Sequence, residues 1–217
     1  MNVLNGIHDS VNALFKHSPS RYGIHFNTTV FVQRILHSTL LFHYIKEENM
    51  AKIPTDLGQS LNKNISALCP FSLGKDNSRN HCAHYVSHMM GYELPGPTCK
   101  NFSWTDKQSP AKGATIRVDD LFKKSPETGL LSAKPATISE CLVFVTLSSN
   151  VTKVGSKLVM HDNPKKHVGI LSQGKVWNYS NSHNKVTSDL LAAFISKFTH
   201  AYRTPGATVE FYYGKLL

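Results

Sequence analysis

At 217 residues and 24.2 kDa the chain is long enough for one domain with a sizeable core, and 41% hydrophobic with 10% aromatic residues excludes global disorder. Lys and Arg number 24 against 14 Asp and Glu, a formal charge of +10 that points to an anionic partner without choosing among nucleic acid, a membrane surface and an acidic polymer. No apolar run has the length of a bilayer span, since the most apolar early stretch, 28–45, is broken by Gln33, Arg34, His37 and His43.

The first residues, Met1 to Asp9, lack the basic start, apolar core and small-residue cleavage site of a secretory signal. Asp9-Ser10 can cap a short helix ending before Pro19, and Asn27-Thr28 a longer one to about Asn49 with Phe31, Ile35, Phe42 and Ile45 at helical spacing. A third short helix fits Leu57 to Leu68. Residues 1–65 are therefore expected to form a helical extension packed on a core of residues 66–217. Within that core, Asp76 to Gly91 reads as a capped helix that stops at glycine, and Gly91 to Thr115 as loop. Val118 to Lys124 is a short helix. Cys141–Leu147, Lys166–Leu171 and Lys175–Tyr179 are strand candidates, the last two joined by a turn at Ser172-Gln173-Gly174. Ser188 to His200 reads as an amphipathic helix and Thr208 to Tyr213 as a closing strand. The fold class that follows is α+β.

Four cysteines without a CxxC pair are too few for a disulfide scaffold. Cys141 opens a continuous apolar run and reads as a buried thiol. Cys69 and Cys99 lie in Pro-containing loops and are of a kind to pair. Cys82 falls at the start of the expected helix, where the helix dipole and free backbone N–H groups favour a thiolate and lower its pKa. A thiolate mechanism also needs a histidine and a third group that fixes its tautomer. His167 and Asn178, on adjacent strands of the expected hairpin, fit those roles, and the face they share is expected to meet the Cys82 helix. Asn181 and His183 are alternatives to Asn178.

The segments Asn80-His81-Cys82-Ala83-His84-Tyr85-Val86, Cys141 to Val145, His167-Val168-Gly169-Ile170 and Gly174-Lys175-Val176-Trp177-Asn178 resemble the NlpC-type branch of the papain-like cysteine peptidases, over roughly residues 66–180. The resemblance implies a cysteine-bearing helix packed on an antiparallel sheet, with Cys82 as nucleophile, His167 as general base and acid, and Asn178 as the orienting group. It implies cleavage of an amide bond in peptidoglycan stem peptides through a thioester, with no metal and no cofactor. Asn77 or Asn80 would join the Cys82 N–H as oxyanion donors, although both are also natural helix caps, and His81 and Trp177 are assigned to the substrate pocket. Two positions depart from the family pattern: His81 stands where an acidic residue usually precedes the cysteine, and Asn178 where a histidine is common.

The same resemblance, the basic charge and the leaderless start suggest an antibacterial effector made in the bacterial cytoplasm and delivered by a type VI system into a rival's periplasm. A secretion-apparatus carrier and an immunity protein would then be its partners. The alternative enzymatic reading is a papain-like acyltransferase or lipid hydrolase, and the non-enzymatic one a basic binding module. His84 and His88, four apart on one helix face, have metal-ligand spacing to which Cys82 or Cys99 would add sulfur, a reading set below hydrogen-bonded histidines. The basic residues are scattered rather than clustered with aromatics, so nucleic acid is not expected as a partner.

Overall fold

Four helices precede or flank the first strand in the computed structural model, which describes residues 56–217: α1 (Leu57–Ser60), α2 (Cys82–Met90), α3 (Trp104–Gln108) and α4 (Val118–Lys124). The strands β1 (Thr128–Leu130), β2 (Cys141–Leu147), β3 (Val151–Val154), β4 (Lys157–Met160), β5 (Lys166–Ser172), β6 (Lys175–Ser180) and β7 (Lys185–Leu190) follow, then helix α5 (Leu191–Tyr202) and strand β8 (Val209–Gly214). The helices expected near 10–18 and 27–49 lie outside the described residues. Met50–Leu217 forms one compact unit, so Leu57 and Ile65 share a core with α2.

Six strands make one antiparallel sheet in the order β1-β8-β2-β5-β6-β7, and β3 and β4 form a separate hairpin. This is a mixed α+β architecture. Strand β2 is central and buried along its whole length, which is why it reads as an unbroken apolar run rather than an alternating one. Around it, alternation sorts side chains to two faces. Leu142, Phe144, Val168, Ile170, Tyr179 and Tyr212 pack with α2 and α4. Cys141, Val143, Val145, Leu171, Val176 and Phe211 pack with Phe194 and Phe198 of α5. Each fully buried large apolar side chain contributes roughly 1.5–3 kcal/mol.

Local chemistry sets the element ends. The β5–β6 hairpin closes at Ser172 opposite Lys175, and its two turn residues, Gln173 and Gly174, have φ of 51° and 74°, as a type I′ turn requires. Gly91 ends α2 in the left-handed region at φ 68°, its N–H bonded to the Ser87 carbonyl. Asp119 and Asp120 in the first turn of α4 and Lys123 and Lys124 in its last oppose the helix dipole at both ends.

Several boundaries differ from expectation. Helix α2 begins only at Cys82, because Asp76 to Asn80 form a turn in which the Asp76 carboxylate accepts the Ser78 N–H. Ser188 to Leu190 extend β7 instead of opening α5. The outer edge of β7 is partly covered: Asn62 N–H donates to the Val186 carbonyl at 3.0 Å and Val186 N–H to the Lys63 carbonyl at 2.9 Å.

Candidate functional site

Cys82 is the first residue of α2. Its N–H donates to Asn80 Oδ1 at 3.0 Å, and the preceding His81 N–H donates to Asn181 Oδ1 at 2.9 Å, tying the helix start to the end of β6. Cys82 is nevertheless only 1% exposed. Burial pushes its thiol up to about 11, against the smaller pull of the Val168, Ala83 and Cys82 N–H groups and the Lys166 charge. The expected lowering by the helix dipole is thus reversed, because the sulfur loses water as well as gaining the helix end.

The histidine and the asparagine do come together. His167 Nε2 lies 3.1 Å from Asn178 Oδ1, both side chains being buried. Asn178 Nδ2 is directed at Asp189 Oδ2 at 3.3 Å and the Val176 carbonyl at 3.4 Å, which fixes the amide with its oxygen toward the imidazole. His167 Nε2 must then carry the proton and donate it, leaving Nδ1 with a free lone pair. Asp189 is in turn paired with Lys197 of α5 at 3.2 Å. Burial pushes His167 down to about 4; the Asn178 bond and Asp189 oppose that shift and Lys197 adds to it. The alternatives to Asn178 are otherwise engaged: Asn181 holds α2, and His183 Nδ1 meets Ser180 Oγ at 2.9 Å.

One geometric expectation is overturned. The face shared by His167 and Asn178 meets α5, not α2: the imidazole stacks on Phe198 at 4.3 Å between ring centroids, with Phe194 at 6.1 Å. Pleating sends Val168 and Ile170 toward α2 and His167 the other way. Cys82 approaches β5 at the Val168 N–H, one residue from His167. The β5–β6 ladder has stopped by then, its last pair being Ile170 and Trp177. No hydrogen bond joins Cys82 to His167 among the described residues. Tyr202, at the end of α5, has its hydroxyl pKa raised by burial and further by the nearness of Cys82.

A cavity of about 200 Å³ reaches Cys82 from the α4 side, lined by residues that include Asn80, Arg117, Asp119, Asp162 and Lys166. Its charges are mutually paired: Lys166 bonds Asp119 at 2.8 Å and Asp162 at 2.7 Å, and Arg117 bonds Asp119 at 2.9 Å. Asn80 borders this cavity, but its oxygen serves as the cap of the Cys82 N–H, so that N–H is not a free oxyanion donor. Asn77 is bound to Asn64 at 2.9 Å, outside the cavity lining. His81 is wholly buried and is not part of the cavity wall. Trp177 is half-buried against the α2-side core.

The histidines of α2 form a chain. His81 Nε2 lies 2.9 Å from the Asp76 carbonyl and its Nδ1 lies 3.0 Å from His84 Nδ1, while His84 Nε2 lies 3.0 Å from His88 Nε2. Cys99 Sγ is 3.9 Å from His88 Nε2 and accepts the Ala114 N–H at 3.1 Å. Cys69, His84, His88 and Cys99 bring one ligand-type atom each to within 4.8 Å of one another. The sequence offered the His84 and His88 pair and one sulfur, but Cys82 is not in the group and Cys69 is. Cys69 and Cys99 come together, but both are free thiols, so the pairing their loop settings allowed is not formed as a disulfide.

No family model, curated protein or solved structure matches the chain. Fold and site define an α+β domain with an antiparallel sheet, a buried cysteine at a helix start and a buried His-Asn pair.

Proposed function

We propose that the protein is a cysteine hydrolase of the papain-like, NlpC-type class, with Cys82 as nucleophile, His167 as base and acid, and Asn178 as the positioning residue. The observation that carries this reading is the 3.1 Å bond from His167 Nε2 to Asn178 Oδ1, which leaves His167 Nδ1 as an acceptor one residue along β5 from the contact with Cys82. In the reaction the Cys82 sulfur attacks a substrate carbonyl while its proton passes to Nδ1. The imidazolium returns that proton to the leaving amine, and water, deprotonated by the same nitrogen, resolves the thioester. For this the sulfur and the imidazole, which lie toward opposite faces of β5, must meet through the opening where β5 and β6 have ceased to pair. Asn80, beside the cavity, and backbone N–H groups such as that of Val168 are the nearest donors for the developing oxyanion.

The motif resemblance and the basic charge favour peptidoglycan stem peptides, which are carboxylate-bearing, as substrate, and delivery as an antibacterial effector belongs to the same reading. Mass spectrometry of purified peptidoglycan treated with wild type, Cys82→Ala and His167→Ala tests it. New stem fragments from the wild type alone support the reading, and their absence with folded, reduced protein removes that substrate.

Burial favours a second reading, a non-catalytic domain. Cys82 and His167 are 1% and 3% exposed, and His167 lies under α5. A thiol probe that labels native Cys82 no faster than the buried Cys141 would select it.

A further inference from the structure

We infer that Cys69, His84, His88 and Cys99 form a closed site for one zinc-class divalent cation. Two thiolates and two imidazoles are the donor set of a tetrahedral structural zinc, and soft sulfur with nitrogen disfavours magnesium and calcium. With zinc–sulfur and zinc–nitrogen bonds of about 2.3 and 2.0–2.1 Å, the edges of such a tetrahedron are about 3.3–3.8 Å. The structure has 3.0 Å between the two Nε2 atoms, 3.9 Å from Cys99 Sγ to His88 Nε2, and no pair of ligand atoms beyond 4.8 Å. Shifts of an ångström or less therefore suffice to close the shell.

The surrounding bonds point to the same occupant. The Asp76 carbonyl only accepts, so His81 Nε2 must donate to it and neutral His81 presents a bare Nδ1. His84 Nδ1 therefore donates to His81, and His84 Nε2 is left with its lone pair toward His88 and the sulfurs. A ligating histidine is ordinarily held in this way, with its outer N–H bonded and its inner nitrogen bare. Cys99 Sγ accepts the Ala114 N–H, a bond suited to a thiolate. The cysteine segments are shaped for close approach: a Cβ on Gly74 would lie 2.7 Å from Cys69 Cβ and 3.2 Å from its sulfur. Cys69, His84 and Cys99 are buried and His88 is partly buried, and four protein ligands would fill a tetrahedral shell, as in a structural rather than a catalytic site. Binding releases the two thiol protons to solvent and involves no redox change. The cation would fasten the loop after Gly91 and the segment before α2 to the helix that carries Cys82, whether or not Cys82 is catalytic.

The test is cobalt(II) titration and zinc analysis of the full chain kept reduced. The expected result is about one metal per chain, with the thiolate charge-transfer and tetrahedral d–d bands of a two-sulfur site. Cys99→Ser should lower bound metal about tenfold or more, Cys82→Ser should leave it unchanged, and His88→Cys should retain it with a stronger charge-transfer band. The His88→Cys result does not depend on Cys99→Ser folding. Failure of reduced wild type to take up either metal, loss of the bands in Cys82→Ser, or a Cys69–Cys99 disulfide that persists with zinc and mild reductant would overturn the site. These readouts are independent of hydrolysis.

Discussion

The two faces of the sheet dispose of buried histidine in different ways. On the α2 face His81, His84 and His88 lean on one another and on Cys99, with the bare Nε2 of His84 turned inward. On the α5 face a single imidazole is satisfied by one amide and covered by Phe198. The first arrangement is the one inferred to take up a cation, whereas the second holds a neutral imidazole whose Nδ1 keeps its lone pair. Burial alone therefore does not say what a histidine is for; the direction of its free nitrogen does.

The largest effect should come from breaking the α2 face alone. A strong chelator, added to metal-loaded protein, is expected to lower Tm by about 10 °C or more, which for a chain of this size corresponds to roughly 3–5 kcal/mol, while Cys82→Ser with metal retains the native Tm within a few degrees. Scanning calorimetry with and without chelator reads this directly. On the other face, Phe194→Ala empties a fully buried site beside Phe198 and Phe211 and should cost about 3–5 kcal/mol in urea unfolding. Its cobalt spectrum should match that of wild type, and a changed spectrum would show that the faces are coupled.

Acid should separate the faces next. His167 is held near 4 against an unfolded value near 6.5, so between those values the unfolded chain binds the extra proton and stability rises with pH. The full contribution is present above about pH 6.5 and is lost as pH falls through 4, a span of about 3 kcal/mol at most. His167→Gln should flatten the stability profile over that window relative to wild type, with Asp189 and Lys197, the charged groups facing the ring from β7 and α5, left in place. The smallest effect is at Gly91: alanine at φ 68° should cost about 1 kcal/mol and leave metal binding unchanged.

Much of this arrangement was legible in the chain. The limits of β2 follow from apolar continuity, the end of α4 from the Ser125-Pro126 break, and the hairpin carrying His167 and Asn178 from its glycine turn. That those two residues lie near one another at the open end of the hairpin was legible from its turn, although its paired register ends at Ile170 and Trp177 before reaching them. What the hairpin could not reveal was which face would meet which helix, because alternation assigns sides and not layers. Hence the Cys82 layer was expected where α5 packs. The hairpin of β3 and β4 has its own trace in the sequence, where Val151-Thr-Lys-Val and Lys157-Leu-Val-Met flank a Gly-Ser turn with Gly155 at φ 61°. The ionisation of the Cys82 thiol is not legible in the sequence because a helix start and a dry interior act on it in opposite directions, and only the fold tells which is stronger. The His84 and His88 pair was legible as metal-ligand spacing but the full donor set was not, because Cys69 lies 15 residues before His84, a gap bridged by the turns at Ser72–Lys75 and Asp76.

The bonds that Asn62 and Lys63 make to Val186 bear on where the chain can be cut. A recombinant core begun at residue 66 would leave the N–H and C=O of Val186 open along an outer strand, the kind of border on which a second molecule adds its own strand. Such a fragment would keep every candidate site residue yet self-associate, whereas one begun at Met50 would retain the guard.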